Sequence, residues 1–92
     1  MDVEKLMSDK IKYVEEINKA RYKIAEAKEN LANKKAPLWE EATGTVDAKK
    51  DFIKSKTSDI QRSIDEHEAD IEWYYNMIDV INQKLLYGDA DL

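Results

Sequence analysis

The 92-residue chain contains no cysteine, one proline and two glycines, and each scarcity excludes a class of protein. Without cysteine there is no disulfide-stapled fold and no thiolate ligand or nucleophile. The low glycine and proline contents exclude collagen-like and low-complexity chains. No apolar run is long enough to cross a bilayer, and the first residues lack the basic start and apolar middle of a signal peptide. We therefore expect a soluble, cytoplasmic, all-helical protein.

Apolar residues recur in alternating steps of three and four, the spacing that keeps side chains on one face of a helix. In the first half of the chain this pattern comprises Val3, Leu6, Lys10, Tyr13, Ile17, Ala20, Ile24, Ala27, Leu31, Lys34 and Leu38, with Met7 and Val14 beside it. In the second half it comprises Ile53, Thr57, Ile60, Ile64, His67, Ile71, Tyr74, Ile78, Ile81 and Leu85. The pattern predicts two long amphipathic helices and no strand.

The few turn-forming residues predict where the helices begin and end. Asp2 is a candidate N-cap, and Pro37 disfavours helical geometry in the residue before it. We therefore expect helix 1 over about 2–35, with a kink or break near Pro37 and a short helical turn over about 38–43. Gly44 suits the reversal, and Thr45 suits the N-cap of helix 2, predicted over about 46–87 with a frayed tail at 88–92.

Two helices of this length, joined by so short a connection, must lie antiparallel as one domain over 1–92. With the reversal near Gly44, residue i is expected to lie opposite about residue 88 − i. Ile24 then lies opposite Ile64, and Val3 opposite Leu85. The fold class is therefore an all-α antiparallel helical hairpin.

A hairpin with one apolar seam buries little surface for the conformational entropy that it loses, so the monomer is expected to be marginally stable. A second apolar row runs along helix 2, and aromatic residues also lie near the turn. These residues are predicted to form a partner or oligomer interface: Trp73, Met77, Val80, Tyr87, Trp39 and Phe52. We expect a homodimer that forms a four-helix bundle.

The net charge of −5 is unevenly distributed. Residues 59–92 carry nine acidic and two basic side chains, whereas residues 28–58 carry seven basic and five acidic ones. The acidic residues are densest at Asp65, Glu66, Glu68, Asp70 and Glu72. This acidic surface is either a solvated helix face or a mimic of nucleic acid that competes for a basic groove. The basic turn end leaves phosphate binding open, although no nucleic-acid-binding motif is present.

The sequence offers little for catalysis or metal binding. His67 is the only histidine, and it lies in the predicted seam one turn before Asp70. A metal site needs three or four ligands, so a polar layer that fixes helix register, shared with Lys10 and Thr57, is the better interpretation. No serine lies at a recognisable spacing from His67, and no glycine-rich phosphate loop is present. We predict no catalytic residue, no metal and no cofactor.

Two resemblances bear on function. A hairpin with a tryptophan near its turn is similar to the small substrates of type VII secretion, which would imply a secreted protein. However, Trp39-Glu40-Glu41 lacks the glycine of the Trp-x-Gly signature, and Tyr75-Asn76-Met77-Ile78-Asp79 matches the Tyr-x-x-x-Asp/Glu signature inside helix 2, so we do not assign the chain to that family. Small helical chains rich in lysine and glutamate also resemble phage-encoded inhibitors of host proteins.

The leading functional hypothesis is a non-enzymatic interaction protein that acts stoichiometrically on a protein partner as an inhibitor, adaptor or assembly factor. The alternative is a protein that sequesters nucleotides or nucleic acid, or mimics the latter. A small secreted hairpin protein is the third possibility.

Overall fold

A computed structural model describes residues 2–88 and contains two helices, α1 over Val3–Glu41 and α2 over Val46–Tyr87. The helices pack side by side as an antiparallel hairpin that measures 65 × 21 × 15 Å, and there is no strand within 2–88. The predicted all-α hairpin is confirmed. The predicted tail beyond Gly88 lies outside the described residues, as does Met1.

Both helices begin at side-chain caps that the sequence predicted. The backbone N–H of Lys5 donates to Asp2 Oδ1 at 3.0 Å, and that of Ala48 donates to Thr45 Oγ1 at 3.1 Å. Each bond satisfies an amide that has no partner within its own helix. Gly44, with φ of 98°, adopts the left-handed backbone conformation that reverses the chain just before the second cap.

Replacing Thr45 by alanine is expected to lower the free energy of unfolding by about 1 kcal/mol, because the first turn of α2 loses its cap. Thr45→Ser keeps the hydroxyl and is the matched control, expected to stay within about 0.5 kcal/mol of the unmodified protein. Urea unfolding followed by circular dichroism measures both. Equal losses in the two variants would show that the methyl group, and not the cap, stabilises this end.

Of the kink or break predicted near Pro37, the break is wrong, because α1 continues through Pro37 to Glu41. The separate turn predicted over about 38–43 is instead the last part of α1, closed by a bond from the Ala42 N–H to the Leu38 carbonyl at 2.9 Å. Continuation keeps Leu38 half-buried, one heptad after Leu31, and buries Ala42. The free energy gained by this burial offsets the cost of the backbone hydrogen bond that proline cannot donate.

The core is a single seam between the helices, centred on Ile24, Leu31 and Ile64. Ile64 is 2% exposed and shares one buried cluster with Ile24, its predicted opposite residue, and with Leu31. The seven-residue pattern of α2 is buried or half-buried throughout, as predicted. Buried Thr57 bonds its hydroxyl to its own helix, donating to the Ile53 carbonyl at 2.8 Å, so it reaches no polar partner on α1.

The α1 pattern is less buried towards its N-terminal end, although Leu6, Lys10 and Tyr13 stay half-buried there. Val3, predicted to face Leu85, is 50% exposed, and Met7 and Val14 are exposed as well. An α-helix with 3.6 residues per turn rotates by roughly 20° per heptad relative to a seven-residue repeat. The row that faces α2 at Ile24 has therefore rotated towards solvent at Val3, three heptads before it in the chain.

Candidate functional site

The two broad sides of the hairpin carry different residues, and we call the first of them the Arg21 face. On α1 it contains a row at seven-residue spacing: Met7, Val14, Arg21, Lys28 and Lys35. On α2 it contains a second such row: Lys54, Gln61, Glu68 and Tyr75. The Arg21 guanidinium donates a hydrogen bond to the Tyr75 hydroxyl and lies 5.7 Å from the centroid of its ring. This contact places the two rows on the same side of the molecule.

The opposite side, which we call the Trp73 face, carries the apolar row predicted as an interface. Trp73 and Tyr75 are two residues apart on one helix, so their side chains point roughly 200° apart. Phe52, Trp73, Val80 and Tyr87 share one seven-residue row of α2, and Met77 lies beside it. Trp73, Val80 and Tyr87 are 52%, 43% and 65% exposed, and Met77 is half-buried.

The Trp73 ring is held in place on one side and open on the other. Its plane lies nearly perpendicular to that of Tyr13 on α1, with ring centroids 5.9 Å apart, and its centroid is 5.3 Å from that of Tyr74. Tyr13 also packs against Tyr74 at 5.8 Å. Edge-to-face contacts of this kind favour one orientation of the ring. The exposed edge of Trp73 is therefore presented from a fixed position, at little further entropic cost on binding.

The other two predicted interface residues, Trp39 and Phe52, lie towards the turn end of the hairpin, far along the rod from Trp73. Phe52 lies 21 residues before Trp73 on α2, about 32 Å along the helix. Lys56 Nζ lies 5.7 Å from the Phe52 ring, and Lys49 Nζ lies 5.0 Å from the ring of Trp39. The six predicted residues therefore do not form one cluster, and the exposed row around Trp73 is distant from Trp39 and Phe52.

The five predicted acidic residues are all exposed, but they do not share one surface. Asp65, Glu68 and Glu72 follow helical steps of three and four on the side of the Arg21 face. Glu66 and Asp70 lie on the side of the Trp73 face. Splitting the carboxylates between two sides halves the charge that either side can present to one ligand.

His67 is half-buried in a small depression of about 240 Å³ on the Trp73 face. Glu16, Lys19, Lys23 and Asp70 also line it. Lys19 Nζ donates to Glu16 Oε1 at 3.4 Å, so opposite charges already face each other there. Within residues 2–88 no three histidine, aspartate or glutamate side chains are grouped as a metal site would need.

The structure reveals two features of the Arg21 face that sequence reasoning missed. The first is an exposed apolar row on α1, made of Val3, Met7, Ile11 and Val14, which are 42–57% exposed. Their four-four-three spacing was visible, but three of them were assigned to the seam or its margin. We call this set the α1 row.

The second feature is an open groove of about 640 Å³ near the turn end, which we call the basic groove. The sequence predicted the basic residues of this end but not the groove. Its rim is formed by Lys35, Lys50, Lys54 and Arg62, and Ile53 lies at its base. Asp65, at one end, accepts a hydrogen bond from Gln61 Nε2 at 3.0 Å. All of its lining residues except Lys35 belong to α2, where they follow helical steps of three and four.

Neither helix, over the residues that the structure describes, has an apolar stretch long enough to traverse a bilayer. Comparison with protein-family models, curated proteins and solved structures found no match to this chain.

Proposed function

We propose that this protein is a non-enzymatic helical interaction module that acts stoichiometrically on a protein partner as an inhibitor, adaptor or assembly factor. We further propose that it works in the cytoplasm as a homodimer. The observation that carries the proposal is the open apolar row of the Trp73 face on a rod-like scaffold.

The chemistry of that row suits protein recognition. Tryptophan and tyrosine dominate binding hot spots because they bury a large area with few rotatable bonds. Trp73 is oriented by Tyr13 and Tyr74, while Val80 and Tyr87 extend the exposed row by two further heptads. Together they form a strip about 21 Å long, which matches three turns or more of a partner helix.

Affinity capture followed by mass spectrometry tests this proposal. A protein retained by the unmodified chain is expected to be lost with Trp73→Ala, and its dissociation constant is expected to rise at least about tenfold. Tyr22→Ala is the matched control because Tyr22, 71% exposed, is an aromatic residue of α1 outside the Trp73 face. Titration of the purified partner against all three proteins gives the numbers. Equal binding by Trp73→Ala and the unmodified chain would refute the assignment of this face.

The basic groove supports a second candidate, the sequestering of nucleotides or short nucleic acids. Four cations around one groove attract phosphates, and such binding weakens steeply with salt. Thermal unfolding in the presence of nucleotides and oligonucleotides distinguishes the candidates, because a ligand that binds only the folded state raises the melting temperature. A rise that disappears in Lys54→Glu would favour phosphate binding over protein recognition.

A further inference from the structure

The α1 row and the basic groove lie at opposite ends of one broad side of the molecule. Met7 and Lys35 belong to the same seven-residue row of α1, 28 residues and about 42 Å apart. At the open end the Arg21 face is apolar, and at the turn end it is a groove with a cationic rim. The α1 row of one copy can therefore dock in the basic groove of a second copy, while the α1 row of the second copy docks in the groove of the first.

The base of the groove suits apolar side chains even though its rim is charged. Ile53 is 9% exposed at the base. The long methylene stems of Lys35, Lys50 and Lys54 line the walls, and such stems cover apolar groups while their ammonium groups stay in water. A helix ridge of valine, methionine and isoleucine can therefore dock between them.

Charge favours one of the two orientations of a pair, although the antiparallel pair also brings the Arg21 side chains of the two copies close together near the middle of α1. In a parallel pair, the two basic grooves would face each other, and the rim of Lys35, Lys50, Lys54 and Arg62 would oppose its own copy. Like charges brought together in this way are destabilising. In an antiparallel pair, each groove instead meets the α1 row of the partner. Carboxylates flank that row, since Glu4 lies seven residues before Ile11 and Glu15 four residues after it.

We infer that a second copy of this chain docks antiparallel on the Arg21 face, with the α1 row of each copy lying in the basic groove of the other. A two-fold axis across the middle of the rod makes both contacts at once, as an isologous dimer requires. The inference rests on the proposed homodimer but not on the proposed protein partner, which binds the Trp73 face.

The size of the face is sufficient for a stable dimer. The hairpin is 65 Å long and 21 Å wide, so full overlap buries on the order of 1,000 Å² on each copy, above the roughly 800 Å² per partner of a standard interface. The pair is a four-helix bundle in which the α1 row of each copy is covered by the other copy. It leaves Trp73, Val80 and Tyr87 open on both outer sides.

Sedimentation velocity on the full chain tests which face is used. The unmodified protein is expected to be a dimer at roughly 50 µM, and Ile11→Asp is expected to raise the dimer dissociation constant at least about tenfold. Val80→Asp places the same charge on the Trp73 face at a comparable exposure and is expected to remain dimeric. Circular dichroism checks that both variants keep their helices.

A monomeric unmodified protein would overturn the inference, while leaving partner binding by Trp73 intact. Dissociation by Val80→Asp but not by Ile11→Asp would also overturn it, since the copies would then meet through the Trp73 face. An oligonucleotide that occupies the groove of a monomeric chain would assign the groove to phosphate binding.

Disulfide trapping tests the orientation without relying on a disruptive substitution. The chain has no cysteine, so single-cysteine variants give unambiguous products. A mixture of Ile11→Cys and Lys54→Cys chains is expected to form the mixed disulfide faster than either disulfide between identical chains, because the antiparallel pair brings residue 11 near residue 54 of the partner. Faster linking of Ile11→Cys chains to each other would overturn the antiparallel arrangement.

Discussion

Replacing Ile64 by alanine is expected to lower the free energy of unfolding by about 3 kcal/mol. Ile64 is 2% exposed and lies at the centre of the only seam between the two helices, packed with Ile24 and Leu31. The substitution removes three buried carbon atoms and leaves a cavity that two rigid helices close only in part. Small domains are stable by about 5 kcal/mol or a little more, so this one change removes a large fraction of the total.

Val46→Ala is the control for this experiment. Val46 is 57% exposed at the start of α2, and alanine has the higher helix propensity in both substitutions. Its free energy of unfolding is expected to change by no more than about 0.5 kcal/mol. Urea unfolding at a fixed chain concentration measures both variants, because dimerisation would make stability depend on concentration. Similar losses at the two positions would show that the core is not centred on Ile64.

Replacing Pro37 by alanine is expected to raise the free energy of unfolding by about 2 kcal/mol. Pro37 lies within α1, where it cannot donate a backbone hydrogen bond to the Asn33 carbonyl. Because the proline is exposed, its removal loses little packing. The gain is reduced by the greater freedom that alanine allows in the unfolded chain.

Lys34→Ala, at an exposed position in the same turns of α1, is the control and is expected to change stability by less than about 0.5 kcal/mol. Thermal unfolding followed by circular dichroism gives the comparison. A loss of stability in Pro37→Ala would mean that the proline shapes the end of α1 in a way that Leu38 and Ala42 need for their burial.

The continuation of α1 through Pro37 shows one limit of predicting a helix end from neighbouring residues alone. Proline and its effect on Ala36 argue for a helix end, and in an isolated peptide that argument would be sound. In the hairpin, the continued helix leaves Leu38 half-buried and Ala42 buried, and this burial is a tertiary contribution. Two local preferences were therefore outweighed by contacts with residues far along the chain.

The charged residues show a second limit. The density of carboxylates between Asp65 and Glu72 suggested one acidic surface, but helix geometry divides them between the Arg21 face and the Trp73 face. In contrast, the basic groove brings Lys35 of α1 together with Lys50, Lys54 and Arg62 of α2 at the turn end, where the sequence predicted an excess of basic residues. Charge density along the sequence therefore predicted the basic end but not the division of the acidic residues.

From its residue pattern alone, this protein is a hairpin of two helices with a predictable seam and a reversal at Gly44. Those features follow from residue spacing, capping and glycine chemistry, which act over a few neighbouring positions. The division of Trp73, Tyr74 and Tyr75 between the Trp73 face, the seam and the Arg21 face also follows from helix geometry, at about 100° per residue. Only the tertiary structure showed that Val3, Met7, Ile11 and Val14 stay exposed, because their burial depends on where α2 lies against α1.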